Sequence, residues 1–249
     1  MDNPAIVVFH QGWTDIINSL PLLKYYKDKY PHIYIIIRND AADLVNYFLR
    51  DSVESITPIY IRKEEIDTVN ILDYLYARGI NINVFRILFH GNFDAYRPDI
   101  YSGSFSRRAP TTCFVKAFYT SYDISYDTRI TYFNFKRDER LEEAVYSKFI
   151  QTWGTKYSLH HMIPDAVRHD TETPFINLND STDTFFDYIK VLENAEEIHL
   201  LDSVWAALLY LLQGHYGICS TIPITVYCRR GYTSMFSEPR QYPNWRILS

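Results

Sequence analysis

Two strand-to-helix junctions in this 249-residue sequence place polar groups where a ligand can be met. In the first, the apolar run Ala5-Ile6-Val7-Val8-Phe9 passes into the turn His10-Gln11-Gly12-Trp13-Thr14-Asp15, and a helix-spaced segment follows. A carboxylate in the first turn of a helix is stabilised by about 1 kcal/mol, and that structural role alone accounts for an Asp here. At the carboxyl end of a parallel strand the same Asp15 faces the ligand crevice, where it can act as a general base toward a hydroxyl. In the second junction, His199 to Leu201 ends at Asp202-Ser203 and the apolar segment Val204 to Gln213 begins at once. The leading amides of such a helix have no intrahelical acceptor, so the N–H groups of Ser203, Val204 and Trp205 form a phosphate site, with the Ser203 hydroxyl as a further donor. The competing structural role is a helix cap by Asp202, whose charge would oppose an anion.

The chemistry that the sequence lacks narrows the field. It has no GxxxxGK[ST] or GxGxxG, no HExxH, no zinc spacing of Cys and His, and no GxSxG. It also has no Asp-x-Asp, the pair that holds a divalent cation against a sugar diphosphate in many transferases. A leaving diphosphate would therefore be met by protein groups, with no metal and no cofactor expected. The net charge of -5, from 25 basic and 30 acidic residues, argues against a protein that binds nucleic acid through phosphate contacts. The 16% aromatic content argues against disorder. Cys113, Cys219 and Cys228 form no disulfide framework and read as isolated thiols of a reducing cytosol. The start of the chain lacks the basic and long apolar regions of a signal peptide, and no stretch nears the roughly 20 apolar residues of a membrane span. A cytoplasmic location is the expectation.

The elements that must position these groups alternate in type. Strands are expected at Ala5–Phe9, His32–Ile37, Thr57–Ile61 and Val84–Phe89. A helix carries Ile16, Ile17, Leu20, Leu23 and Tyr26 on one side up to Pro31, and another, capped by Asn39 or Asp40, runs from about Ala41 to Arg50. Residues 91–112 read as a long loop with Arg107-Arg108 in it, followed by a helix over Phe114–Tyr122 and a charged helix over Lys136–Ile150 with Glu139, Glu142 and Glu143 on a solvated face. In the second half, strands are expected at Lys156–His160, Pro174–Leu178, Glu196–Leu201, Ile222–Cys228 and Arg246–Leu248. Helices fall between them at Thr184–Asn194 and at Ser203–Gln213, the latter closed by Gly214. Tyr25, Tyr26, Tyr30, Tyr119, Tyr122 and Tyr126 read as core and rim packing. The fold class is α/β, with two Rossmann-like halves facing a cleft, residues 1–150 and 151–249.

Two motifs carry a resemblance. The segment GWTDIINSLPLLKYYKDKYPHIYIIIRND resembles the start of heptosyltransferase-type glycosyltransferases of the GT-B fold, which open on a Gly-Asp turn, then a helix with Leu-Pro-x-Leu, a basic helix end, a Pro and a second strand. Asp15 stands at the family's Asp and Leu20-Pro21 at the matching offset, while Thr14 replaces the family's Gly. HLLDSVWAALLYLL resembles the family's donor-phosphate segment, Asp-Thr-Gly-x-x-His-x-Ala-Ala-Ala. Asp202 and Ser203 match it, Val204 replaces the Gly and Ala207 the His. The two motifs occur in family order, one per half, so the chain looks like a compact member.

The resemblance implies a metal-independent, inverting glycosyltransferase. Its first half would take the acceptor, a glycan or another hydroxyl compound, and its second half the nucleotide-sugar donor. Asp15 would be the base, and Ser203, Val204 and Trp205 would hold the donor phosphates. The cation for those phosphates would be Arg168, whose guanidinium grips phosphate in two places, with His161 second. Gly12, Trp13, Thr14 and Arg107 would lie on the acceptor side, and Lys190 and Glu193 could reach the base or ribose. Two other readings stand beside this one: a non-catalytic nucleotide- or glycan-binding protein, and a sugar-nucleotide epimerase or hydrolase on the same fold.

Overall fold

Residues 3–9, 12–62, 71–79, 86–90, 114–120, 122–161, 173–178, 185–228 and 242–248 are described by the computed structural model of the chain. The first strand, β1 (Ala5–Phe9), shows why an unbroken apolar run was needed: Ala5, Ile6, Val7 and Val8 are all fully buried, odd and even positions alike. A strand covered on both faces is the mark of a parallel sheet clothed by helices. β1 leads into α1 (Trp13–Lys27), followed by β2 (Ile33–Arg38), α2 (Ala42–Leu49), β3 (Ile56–Ile61), α3 (Ile71–Ala77), β4 (Arg86–His90), α4 (Phe114–Thr120) and α5 (Thr128–Thr131). The four strands are all parallel in the order β3-β2-β1-β4.

The second unit starts at α6 (Glu139–Trp153) and continues through β5 (Ser158–His161), β6 (Phe175–Asn177), a 3-10 turn at Phe185–Tyr188, α7 (Ile189–Glu193), β7 (Ile198–Leu201), α8 (Val204–Tyr216), β8 (Ile224–Tyr227) and β9 (Trp245–Leu248). Its strands are also all parallel, in the order β6-β5-β7-β8-β9. The chain thus forms two compact units, Met1–Phe135 and Lys136–Ser249, each a doubly wound α/β sheet. Among the described residues, no helix is long and apolar enough to cross a membrane.

Helix α6 runs through the 150/151 join placed from the sequence and packs with the second unit. Asp138 caps it, accepting from the Leu141 amide at 3.1 Å. Arg137 then donates to Glu142 at 3.0 Å and to Glu193 on α7 at 3.0 Å, and Lys190 on α7 pairs with Glu143. Glu142 is 1% exposed, so it is a buried partner of Arg137 and no part of a solvated face. Its hydrogen bond, the largest influence, raises the Arg137 ionisation further above the ordinary guanidinium range. Phe149 meets Tyr157 edge-on, with ring centroids 4.8 Å apart.

Two local expectations are corrected, and one helix carries an internal proline. Residues 39–41 form a 3-10 turn, so the residue before α2 is Ala41, which has no polar side chain to cap with, and the Asp40 carboxylate is engaged by Arg38. Pro21 sits inside α1 without ending it; the proline lacks the N–H that would meet the Ile17 carbonyl, and burial of the surrounding leucines offsets that loss. Helix α8 continues through Gly214 and closes at Gly217, whose φ of 72° lies in the left-handed region and whose amide reaches the Gln213 carbonyl at 3.0 Å. Beyond that turn the free Cys219 is buried, which pushes its thiol up to about 12.

A Cβ at Gly217 would meet nothing within 4 Å, so only its backbone conformation is at stake. Gly217→Ala is expected to lower stability by about 1 kcal/mol, read as a shift of the denaturant midpoint at unchanged slope.

Candidate functional site

Ligands in doubly wound sheets bind outside the carboxyl ends of the strands, where the order reverses. In the first unit the reversal lies between β1 and β4. Asp15 falls there, in the first turn of α1. Gly12 precedes the helix in extended conformation, φ -68° and ψ 146°, and supplies no cap. Trp13, Thr14 and Asp15 are the first three residues of the helix, all half-buried. Thr14 therefore needs no left-handed backbone, and a β-branched side chain is tolerated where the resembling family has Gly.

Contacts from outside hold this turn. The fully buried Asn18 donates its side-chain amide to the Thr14 carbonyl at 2.8 Å. The Tyr119 hydroxyl, from α4, donates to the Asn18 carbonyl. Burial keeps that phenol protonated, with its ionisation well above the ordinary range, so it remains a donor. From the end of β2, the Arg38 guanidinium lies over the Trp13 ring, 5.2 Å from its centroid. The sequence reading missed Arg38, Asn18 and Tyr119. Only Arg38 left a signal, as the charged Arg-Asn-Asp that ends an apolar strand.

In the second unit the reversal lies between β5 and β7, and the structure brings His161 and Ser203 together there. His161 is the last residue of β5, and Ser203 follows β7 by two positions. His161 Nδ1 and Ser203 Oγ are 2.8 Å apart, within hydrogen-bond distance. Ser203 is the residue before α8, extended at φ -150° and ψ -177°, and its side chain caps nothing. The Asp202 amide donates to the Tyr227 carbonyl at 3.0 Å. The Ala207 amide reaches the Ser203 carbonyl at 3.0 Å and closes the first turn. The amides before it, from Val204 on, have no intrahelical acceptor, and no acidic residue lies in that turn. Trp205 is buried, its ring against Phe185 at 4.9 Å and Tyr188 at 6.1 Å between centroids, which anchors the helix start.

Other expected contacts fall differently. Lys190 and Glu193 are engaged with Glu143 and Arg137 in the seam between α6 and α7. His160 alternates to the opposite face of β5 from His161 and stacks on Phe175 at 4.4 Å. Arg168 and Arg107 lie outside the described residues. Among the described residues, no group of three or more His, Cys, Asp or Glu side chains could hold a metal ion.

Two parallel doubly wound units in one chain define a GT-B-like α/β architecture. Neither a protein-family model nor a curated protein matches the sequence. Solved structures do match the fold. The glycosyl transferase family 9 protein from Veillonella parvula DSM 2008 aligns with 100% of this chain and 87% of its own, with a TM-score of 0.55 at 12% identity. The E. coli heptosyltransferase WaaC with ADP aligns with 98% of this chain and 92% of its own, at 11% identity and a TM-score of 0.48. E. coli ADP-heptose lps heptosyltransferase II aligns with 100% and 90%, at 10% identity and a TM-score of 0.49. The fold implied by the two motifs is the fold found.

The Tyr119 contact gives a direct check on the support beneath Asp15. Tyr119→Phe removes one buried hydrogen bond and is expected to destabilise the protein by about 1 kcal/mol in denaturant unfolding.

Proposed function

We propose that the protein is a glycosyltransferase that moves a sugar from a nucleotide-sugar donor to a hydroxyl of a glycan or other acceptor, without a metal and with inversion at the anomeric carbon. The observation that supports it most is the His161–Ser203 contact at the switch point of the second sheet, beside the start of α8, where the Ser203 side chain makes no cap. An anion placed there meets backbone N–H groups, a hydroxyl and an imidazole together. The full-length fold likeness to a family 9 glycosyltransferase adds an argument by analogy.

In this reading the donor diphosphate lies on Ser203, Val204 and Trp205, with His161 and Arg168 as cationic partners. Negative charge grows on the distal phosphate as the glycosidic bond breaks, and donors already in place stabilise that charge more than they stabilise the intact donor. Asp15 accepts the proton of the acceptor hydroxyl. The oxygen attacks the anomeric carbon from the face opposite the diphosphate, which leaves with the bonding pair. Gly12, Trp13, Thr14 and Arg107 serve the acceptor side. Thr14, Val204 and Ala207 replace residues of the resembling family, and this favours the alternative of a binding protein with a decayed site.

The test is release of nucleoside diphosphate from a panel of ADP-, UDP-, GDP- and CDP-linked sugars with EDTA present. At least one donor is expected to be turned over. Asp15→Ala is expected to slow that turnover by about 100-fold or more while nucleoside diphosphate affinity stays within about threefold. Binding without turnover assigns the chain to the non-catalytic class. Free or altered sugar in place of transfer assigns it to the hydrolases or epimerases.

A further inference from the structure

We infer that Arg38 is a positioning residue for the Asp15 carboxylate, acting through Trp13 with Asp40 as its brace; the inference rests on the general-base reading of Asp15. β1 and β2 are adjacent parallel strands with Val8 in register with Ile36, so the chain leaving β1 and the last residue of β2 emerge side by side. There the guanidinium of Arg38 covers the Trp13 ring at 5.2 Å. Asp40 accepts from Nε and Nη2 with its two carboxylate oxygens. Such two-pronged pairing orients the guanidinium plane as well as balancing its charge. Arg38 is only 7% exposed, so the contact is part of the packed edge of the sheet.

Trp13 is the first residue of α1, and Gly12 before it has no side chain with which to cap the helix. The rotation of the first turn is therefore set by what grips its side chains. Residues two apart on a helix project about 200° from each other, so Trp13 and Asp15 point to opposite sides of one turn. A clamp on Trp13 fixes the direction in which Asp15 projects. Proton abstraction depends steeply on that direction, since a displacement of about 1 Å can cost about 100-fold in rate. A lysine at position 38 would keep the charge and lose both the planar contact and the fork.

The experiment uses a donor from the nucleotide-sugar panel, with Arg38→Ala, Arg38→Lys, Asp40→Ala and Asp15→Asn compared with the unaltered protein. Asp40→Ala guards against misfolding, because the Asp40 side chain is 39% exposed. Arg38→Ala, Arg38→Lys and Asp40→Ala are expected to lower kcat by about tenfold or more, with KM for the donor within about threefold, and Asp40→Ala to melt with the unaltered protein. The positioning role alone is overturned if Asp15→Asn is inactive while Asp40→Ala and Arg38→Lys keep their kcat, or if their loss is carried by KM. If the unaltered protein turns over none of the panel, or Asp15→Asn works at the unaltered rate, the transferase reading falls and the positioning role falls with it.

Discussion

A parallel strand buried on both faces can reach its parallel neighbour only by a chain that crosses over the sheet, and that constraint brings all carboxyl ends of one sheet to the same edge. In the first unit it carries Asp15 and Arg38 to a shared edge from helix and strand segments more than twenty positions apart. In the second it sets His161 beside Ser203, from strands that are not consecutive in the chain. Neither pairing depends on a special loop. Both follow from where buried strands stop.

The polar groups at these edges are affordable because the scaffold behind them is dry and closely packed. Ala5 to Val8 of β1 and Ile35 to Ile37 of β2 are fully buried, and α8 is buried from Trp205 through Gln213. Several of the charges that enter that interior are paired. Lys24 meets Asp51 at 3.0 Å, and burial, the largest influence, lowers the lysine's ionisation from its ordinary value. His199, 4% exposed, lies between the Glu197 carboxylate at 3.1 Å and the Tyr227 hydroxyl at 3.2 Å. Gln213 links the last turns of α8 to Asn244 at 2.8 Å and to the Trp245 indole at 2.6 Å, tying the helix to the edge strand β9. Removing the partner of such a buried group would strand it out of water, which is why these contacts hold the elements within each unit in one arrangement.

The parts legible in the sequence were those governed by local pattern. Unbroken β-branched runs marked β1 and β2, and the apolar segment after Ser203 marked α8, because burial on all sides requires apolar residues at every position. Two short helices were not legible. α3 and α5 span seven and four residues, too few for a periodicity to separate from chance. Glu142 read as part of a solvated face of helix α6 because its carboxylates look alike in sequence, and only the approach of Arg137 makes Glu142 an interior group. Gly214 read as a stop because glycine disfavours helix, yet packing carried the helix on to Gly217.

By itself the sequence determined the class of each unit, its alternating strands and helices, and which turns carry Asp15 and Ser203. These depend on residue type and spacing within a few turns of chain. Only the tertiary structure decided the partners: Ser203 with His161, Trp13 with Arg38, and Asn18 with Tyr119. Those pairs are separated by 42, 25 and 101 positions, and no local pattern encodes a distance across a sheet or between packed helices. It is set by strand order and register, which exist only once the two sheets have formed.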